Sequence, residues 1–234
     1  MERMNRFAFL RMPHETDYRE YYTYLQNRAK LITDNEELTP HLKGIHKKVY
    51  YLNAFIQELE LDQSSQQYLS EVIIDLILLM DLFSQNYIKS VRMHLRSSIE
   101  EFNRFLLTIN GVDFSELSIS RINDRILEVY KHNHPIHSKV SALCSDYADL
   151  CTFVHVSADS SFTNKLVLSD FHKVNEKEVE KIARQVFRNI QNILYILICE
   201  YREKFHNMTK HMQNYLLQQL SQKDQQEINS ILES

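Results

Sequence analysis

The sequence predicts an all-α domain, a bundle of six to eight helices around one long central helix or kinked helix pair. Three observations carry this. The chain has two Gly and three Pro in 234 residues, and those residues punctuate strands, hairpins and tight turns. An all-β or doubly wound fold would lack its turns, and a Gly-rich phosphate loop is excluded. Apolar residues recur at three- and four-residue spacing through most of the chain. Hydrophobic residues make up 44%, with 13 Tyr and 12 Phe to supply bulk, enough for one large core.

In order, residues 1–14 read as an arm, residues 15–215 as the bundle, and residues 216–234 as a polar C-terminal helix or tail. A Tyr-rich helix runs from Glu15 to about Ile32. Thr39-Pro40 opens the next, a capping hydroxyl followed by Pro at the first helical position; Leu42, Ile45, Val49, Leu52, Phe55, Ile56 and Leu59 form its stripe. Gly44 inside it costs about 1 kcal/mol relative to Ala. Ser64 or Ser65 is expected to cap the organising segment, Ser70 to Leu107. Its first part, Val72 to Phe83, is apolar on nearly every side, and a helix of that kind has to be packed all round. A bend is expected near Ser84-Gln85-Asn86. Beyond it Ile88, Val91, Leu95, Ile99, Phe102 and Leu106 mark a packed seam, and Asn110-Gly111 ends the helix. Further helices are expected from Arg121 to Lys131, from Ser138 to Val156, and from a cap at Asn175 past Tyr201. The stretch from Val156 to Phe171 reads as the longest loop.

The formal net charge is −4, with acid and base mixed, which excludes a broad nucleic-acid footprint but leaves room for a local basic patch. Cys144, Cys151 and Cys199 have no metal spacing and read as buried thiols in a reducing compartment. The longest apolar run falls short of the roughly 20 residues of a membrane span. A soluble, cytoplasmic protein is expected, with no membrane partner, no metal and no cofactor.

Four sets of residues are candidates for chemistry. Arg92, Arg96, Glu100 and Arg104 recur every fourth residue on one helix face, beside the apolar seam. Arg96 and Glu100 should be half buried there, and a half-buried Arg needs a carboxylate, with Glu100 in reach. Such a file either locks two helices together or presents a guanidinium to a phosphate. His155 shares a stripe with Tyr147 and Cys151 and precedes Ser157 at the end of its helix. It is either a C-terminal capping or core residue or a general acid or base. His132, His134 and His137 could in principle hold zinc, yet lie among no other ligands and read as a polar loop. Cys144 and Cys151 are two turns apart on one helix and cannot form a disulfide.

Arg96-Ser-Ser-Ile-Glu100, followed by Tyr147, Cys151, His155 and Ser157 on a later helix end, resembles a pattern in HEPN-like helical bacterial proteins (higher eukaryote and prokaryote nucleotide-binding). The resemblance covers about residues 64 to 200. It implies an α-helical bundle, a homodimer, a place in toxin–antitoxin or anti-phage systems with a cognate antitoxin or defence partner, and RNA or a nucleotide as ligand. Active members are metal-independent ribonucleases. It places Arg96, Glu100 and His155 in catalysis, with Arg92, Arg104, Tyr147 and Ser157 contacting ligand. The family's Arg–His spacing within one helix is matched separately by Arg125 and His132. In that chemistry a His would activate a ribose hydroxyl while an Arg stabilised charge at phosphorus. The other function class open to these residues is a non-catalytic interaction module in which Arg96, Glu100 and His155 form a buried polar clamp.

Overall fold

The computed structural model describes residues 14–28, 38–154 and 174–233. Among the described residues there are ten helices and no strand: α1 (His14–Arg28), α2 (Leu38–Glu58), α3 (Gln63–Ser84), α4 (Ile88–Ile109), α5 (Ile119–Val129), α6 (His134–Val154), α7 (Glu176–Glu200), α8 (Arg202–His206), α9 (Lys210–Leu217) and α10 (Gln222–Glu233). The all-α bundle is as expected. The count passes six to eight because the C-terminal stretch makes three short helices. Residues 1–13 of the arm expected over residues 1–14 and the loop from Val156 to Phe171 lie outside the described residues, as does the end of the first expected helix; His14, the last residue of that arm, opens α1.

The Ser70–Leu107 segment is a hairpin rather than a bent mast. At the end of α3, Asn86 takes a left-handed φ of 57°. Its N–H donates to Phe83 O at 3.0 Å, and that of Tyr87 to Leu82 O at 3.0 Å. These are the two bonds of a Schellman motif with Asn, the residue after Gly that best tolerates this conformation, in the left-handed position. The chain reverses, and α4 runs back along α3. Asp75 and His94, almost equidistant from the turn, meet with Oδ1 and Nδ1 2.8 Å apart. Gly111 repeats the device at the end of α4, with φ 65° and the same bond pair, Gly111 N to Thr108 O and Val112 N to Leu107 O, both 3.0 Å. At the start of α3 the cap is Asp62, not Ser64 or Ser65; its carboxylate accepts from Ser65 N at 3.0 Å and from Ser65 Oγ at 2.7 Å. Asn175 caps α7 as expected, accepting from Glu178 N at 3.3 Å.

The reversal changes which helix is central. α3 is not packed all round: Ile74, Ile77 and Leu78 are 46%, 48% and 43% exposed, and Met93 across the hairpin is 46% exposed. The helix that is buried on every side is the second half of α7, where Asn192 to Ile198 are all buried. Residues 189–199 carry no charge, whereas the α3 run is broken by Asp75 and Asp81. α7 packs on α2, α4, α6 and α10, while α4 packs on α3, α5 and α6. Gly44 sits where α2 meets α7; a methyl built there would lie 2.7 Å from Phe187 Cζ.

The polar C-terminal stretch folds back on the bundle instead of trailing away. Lys139 on α6 pairs with Asp224 on α10, Tyr195 OH on α7 donates to Glu227 Oε2 at 3.2 Å, and Ile228 is 1% exposed. Lys48 Nζ and Gln191 Nε2, from α2 and α7, both donate to Gln219 O, at 2.7 and 2.9 Å. Of the helix or tail expected over residues 216–234, the helix is what forms, from Gln222 to Glu233. No helix among the described residues is long and apolar enough to cross a membrane.

Candidate functional site

The seam of α4 carries its guanidinium groups toward α6 and α7, because Arg92 and Arg96 flank the buried line Val91, Leu95 and Ile99. Arg92 is 9% exposed. Its Nη2 lies 3.1 Å from Glu178 Oε1 on α7, and its guanidinium carbon is 4.1 Å from the centroid of Phe153 on α6. One side chain thus ties three helices, by an ion pair and by a cation held over a ring face.

Arg96, one turn on, is half buried. Its guanidinium lies 5.8 Å from the Tyr147 ring centroid, with Nη1 4.0 Å from Cys151 Sγ. Its Nε is buried without a hydrogen-bond partner among the described residues. Glu100, expected to pair with Arg96, accepts from Arg104 Nη2 at 2.7 Å instead, since the Arg96 head turns toward α6. Tyr147 is 6% exposed. Burial pushes its phenol well above the usual range, helped by the hydrogen bond to Cys151 and the charge of Glu100, and opposed by Arg96. At neutral pH it is a neutral hydroxyl, able to hydrogen-bond but not to act as a base.

The structure therefore brings together Arg96, Tyr147 and Cys151, with Glu100 and Arg104 beside them and Arg92 in the adjoining layer. His155 and Ser157 lie outside the described residues. Arg125 and His132 do not share a helix: α5 stops at Val129, Arg125 pairs with Glu128, and His132 is exposed in the turn that follows. His134 opens α6 and His137 follows in its first turn. Among the described residues no group of three or more His, Cys, Asp or Glu is placed to hold a metal. All three cysteines are free thiols, and burial raises Cys144 to about 11 and Cys199 to about 12, so neither is a thiolate at neutral pH.

Sequence reasoning missed the other polar feature of this region. Next to the clamp, a cavity of about 480 Å³ opens between the end of α6 and the first half of α7, lined by Lys177, Lys181, Arg184 and Arg188. Their four-, three- and four-residue spacing puts them on one face of α7, a signal that the intervening glutamates disguise. Below them Asp146 is 3% exposed and fully engaged, accepting from Arg188 Nε at 3.0 Å, Gln185 Nε2 at 3.2 Å and Asn189 Nδ2 at 3.0 Å. No protein-family model, curated protein or solved structure matches this chain.

Proposed function

We propose that the chain is a non-catalytic helical interaction module in which Arg92 and Arg96 clamp α4 to α6 and α7. The observation that carries this is Arg92. Its guanidinium is held between Glu178 and Phe153 at 3.1 and 4.1 Å, so both its charge and its flat face are spent inside the bundle. A guanidinium that serves a phosphate has to keep one of these available. The interaction surface is the exposed apolar face of the α3–α4 hairpin, Ile74, Ile77, Leu78 and Met93, and its occupant is a second copy of the chain. Exposed Glu71 and Lys89 stand toward opposite ends of the hairpin. A two-fold axis near Ile77 and Met93 would bring each Glu71 toward Lys89 of the second copy.

The test is direct. The purified full chain, incubated with a labelled RNA transcript with and without a divalent cation, is expected to leave it intact. Cleavage that needs no metal and disappears in Arg96→Ala or His155→Ala would overturn the module. It would favour a HEPN-like ribonuclease of bacterial defence or toxin type. That second reading has one observation behind it: the buried Nε of Arg96 has no hydrogen-bond partner among the described residues, a donor that a ligand could use.

A further inference from the structure

We propose that the basic groove between α6 and α7 binds a short acidic segment, rich in Asp and Glu, of a partner protein. This rests on the interaction-module reading and gives that module a second, charged surface away from the hairpin.

Charge is the first argument. Among the described residues, four cations line the groove against one acid, Asp149, on a chain whose formal net charge is −4. Local positive charge on a net acidic protein draws in a short anion, while a long one meets repulsion beyond the groove. Glu176 and Glu180 stand exposed on the same helix just outside it, so a polynucleotide running past the cations would cross them.

Shape is the second. At about 1.5 Å per residue, Lys177 and Arg188 are roughly 16 Å apart along α7, a line suited to successive carboxylates rather than to one compact phosphate. The cations also differ in commitment. Arg188 is fixed by Asp146 through Nε at 3.0 Å, and Arg184 pairs with Glu180 in an exposed ion pair that a competing carboxylate can exchange. Among the described residues, Lys177 and Lys181 have no ion pair. The groove thus already recognises carboxylates at one end and at the other offers Lys177, together with Lys181, whose ammonium lies over the Phe153 ring at 5.8 Å but meets no carboxylate among the described residues.

The aromatic content of the groove separates a peptide from a nucleic acid. Single-stranded nucleic-acid sites combine cations with open aromatic faces on which bases stack. Phe153 is the aromatic residue of this lining, and it already carries Arg92 at 4.1 Å and Lys181 at 5.8 Å from its centroid. Among the described residues, the groove offers cations to a backbone and no open ring to a base.

Fluorescence anisotropy of the full chain tests this with three probes: a labelled peptide of alternating Asp and Glu, a labelled oligouridylate of equal charge, and unlabelled inorganic phosphate as competitor. The peptide should bind at low ionic strength, outcompete the oligouridylate, and weaken as salt shortens the Debye length from about 14 toward 7 Å. Lys177→Glu and Lys181→Glu should each weaken it about tenfold, Lys181→Gln less, and Lys223→Glu on α10 not at all, with circular dichroism unchanged. Peptide binding that ignores the first two reversals, no binding, displacement by phosphate at equal charge, or tighter binding of the oligouridylate would each overturn the proposal. Failure here with an intact RNA transcript sinks the groove alone, whereas transcript cleavage sinks the module.

Discussion

Arg92→Ala should unfold the protein more easily by an amount set by three losses at one position. The ion pair to Glu178 has side-chain exposures of 11% for Arg92 and 32% for Glu178. Removing one member of a fully buried pair costs about 3–5 kcal/mol, but water reaches Glu178, so about 1–2 kcal/mol is reasonable here. The guanidinium over Phe153 adds about 1 kcal/mol, and the lost packing of the aliphatic stem about another 1 kcal/mol. The total is about 3–4 kcal/mol. With a urea dependence near the upper end of about 1–3 kcal/mol per molar, the midpoint should fall by roughly 1 M. Arg92→Met keeps the stem but loses the ion pair and the cation over the ring, and should fall about two-thirds as far. The cycle of Arg92→Ala and Glu178→Ala isolates the pair and should show coupling of about 1 kcal/mol. A midpoint that moves by less than about 0.3 M, or two substitutions that add independently, would show that Arg92 holds nothing and return it to the pool of ligand-binding candidates.

Ile77→Glu and Met93→Glu should each convert a dimer to a monomer in sedimentation velocity with stability changed by less than about 0.5 kcal/mol; a monomeric parent at micromolar concentration would refute the hairpin interface. Gly44→Ala should destabilise by about 1 kcal/mol, because the strain of pushing Phe187 aside outweighs the gain in helix propensity, but should stabilise in a Phe187→Leu background. The opposite pattern would show that the ring moves freely. Stability should also vary with pH in two steps. Burial, then Lys47, lowers Lys48 from 10.5 to about 8, so the folded state gives up that proton first and stability rises from about pH 8 toward 10. Burial raises Tyr51 and Tyr201 from 10.0 to about 12, so their contribution is complete below pH 10 and is lost as pH climbs toward 12. Urea midpoints across that range should pass through a maximum, and Lys48→Met should flatten the rising limb.

Much of the helical layout is legible because it depends on neighbours in sequence. Asn110-Gly111 and Asn175 act where their chemistry says, since a cap is decided within about four residues. Asn86 is the instructive exception. Asn tolerates a left-handed φ almost as Gly does, so Ser84-Gln85-Asn86 supports a bend or a full reversal equally well. What decides is whether the two apolar faces find each other, and that is a tertiary question. The same holds for Val72 to Phe83. An apolar run states that burial is favourable, not that partners exist on every side, and here the bundle supplies them on one. The uncharged stretch over residues 189–199 is where they exist on all.

The candidate site divides along the same line. That Arg92 and Arg96 lie beside the seam follows from four-residue spacing; where their heads turn does not. Glu100 has a guanidinium four residues away in each direction, and geometry assigns it to Arg104, because Arg96 finds the Tyr147 ring on α6. Arg92 finds Glu178 and Phe153, residues 86 and 61 positions further along the chain, which no local pattern links. Their convergence makes the clamp a property of the α4–α6–α7 junction. It also explains why the basic groove lies next to it. Arg92 occupies the buried face of the Phe153–Glu178 corner and neutralises Glu178, and that leaves Lys177 and Lys181 on the outer side with no ion pair among the described residues. The clamp and the groove are two sides of one corner, so Arg92→Ala should loosen the fold and, by releasing Glu178 as a new partner for Lys181, weaken acidic-peptide binding as well. If peptide affinity is unchanged while stability falls, the two features are independent, and the groove's charge owes nothing to the clamp.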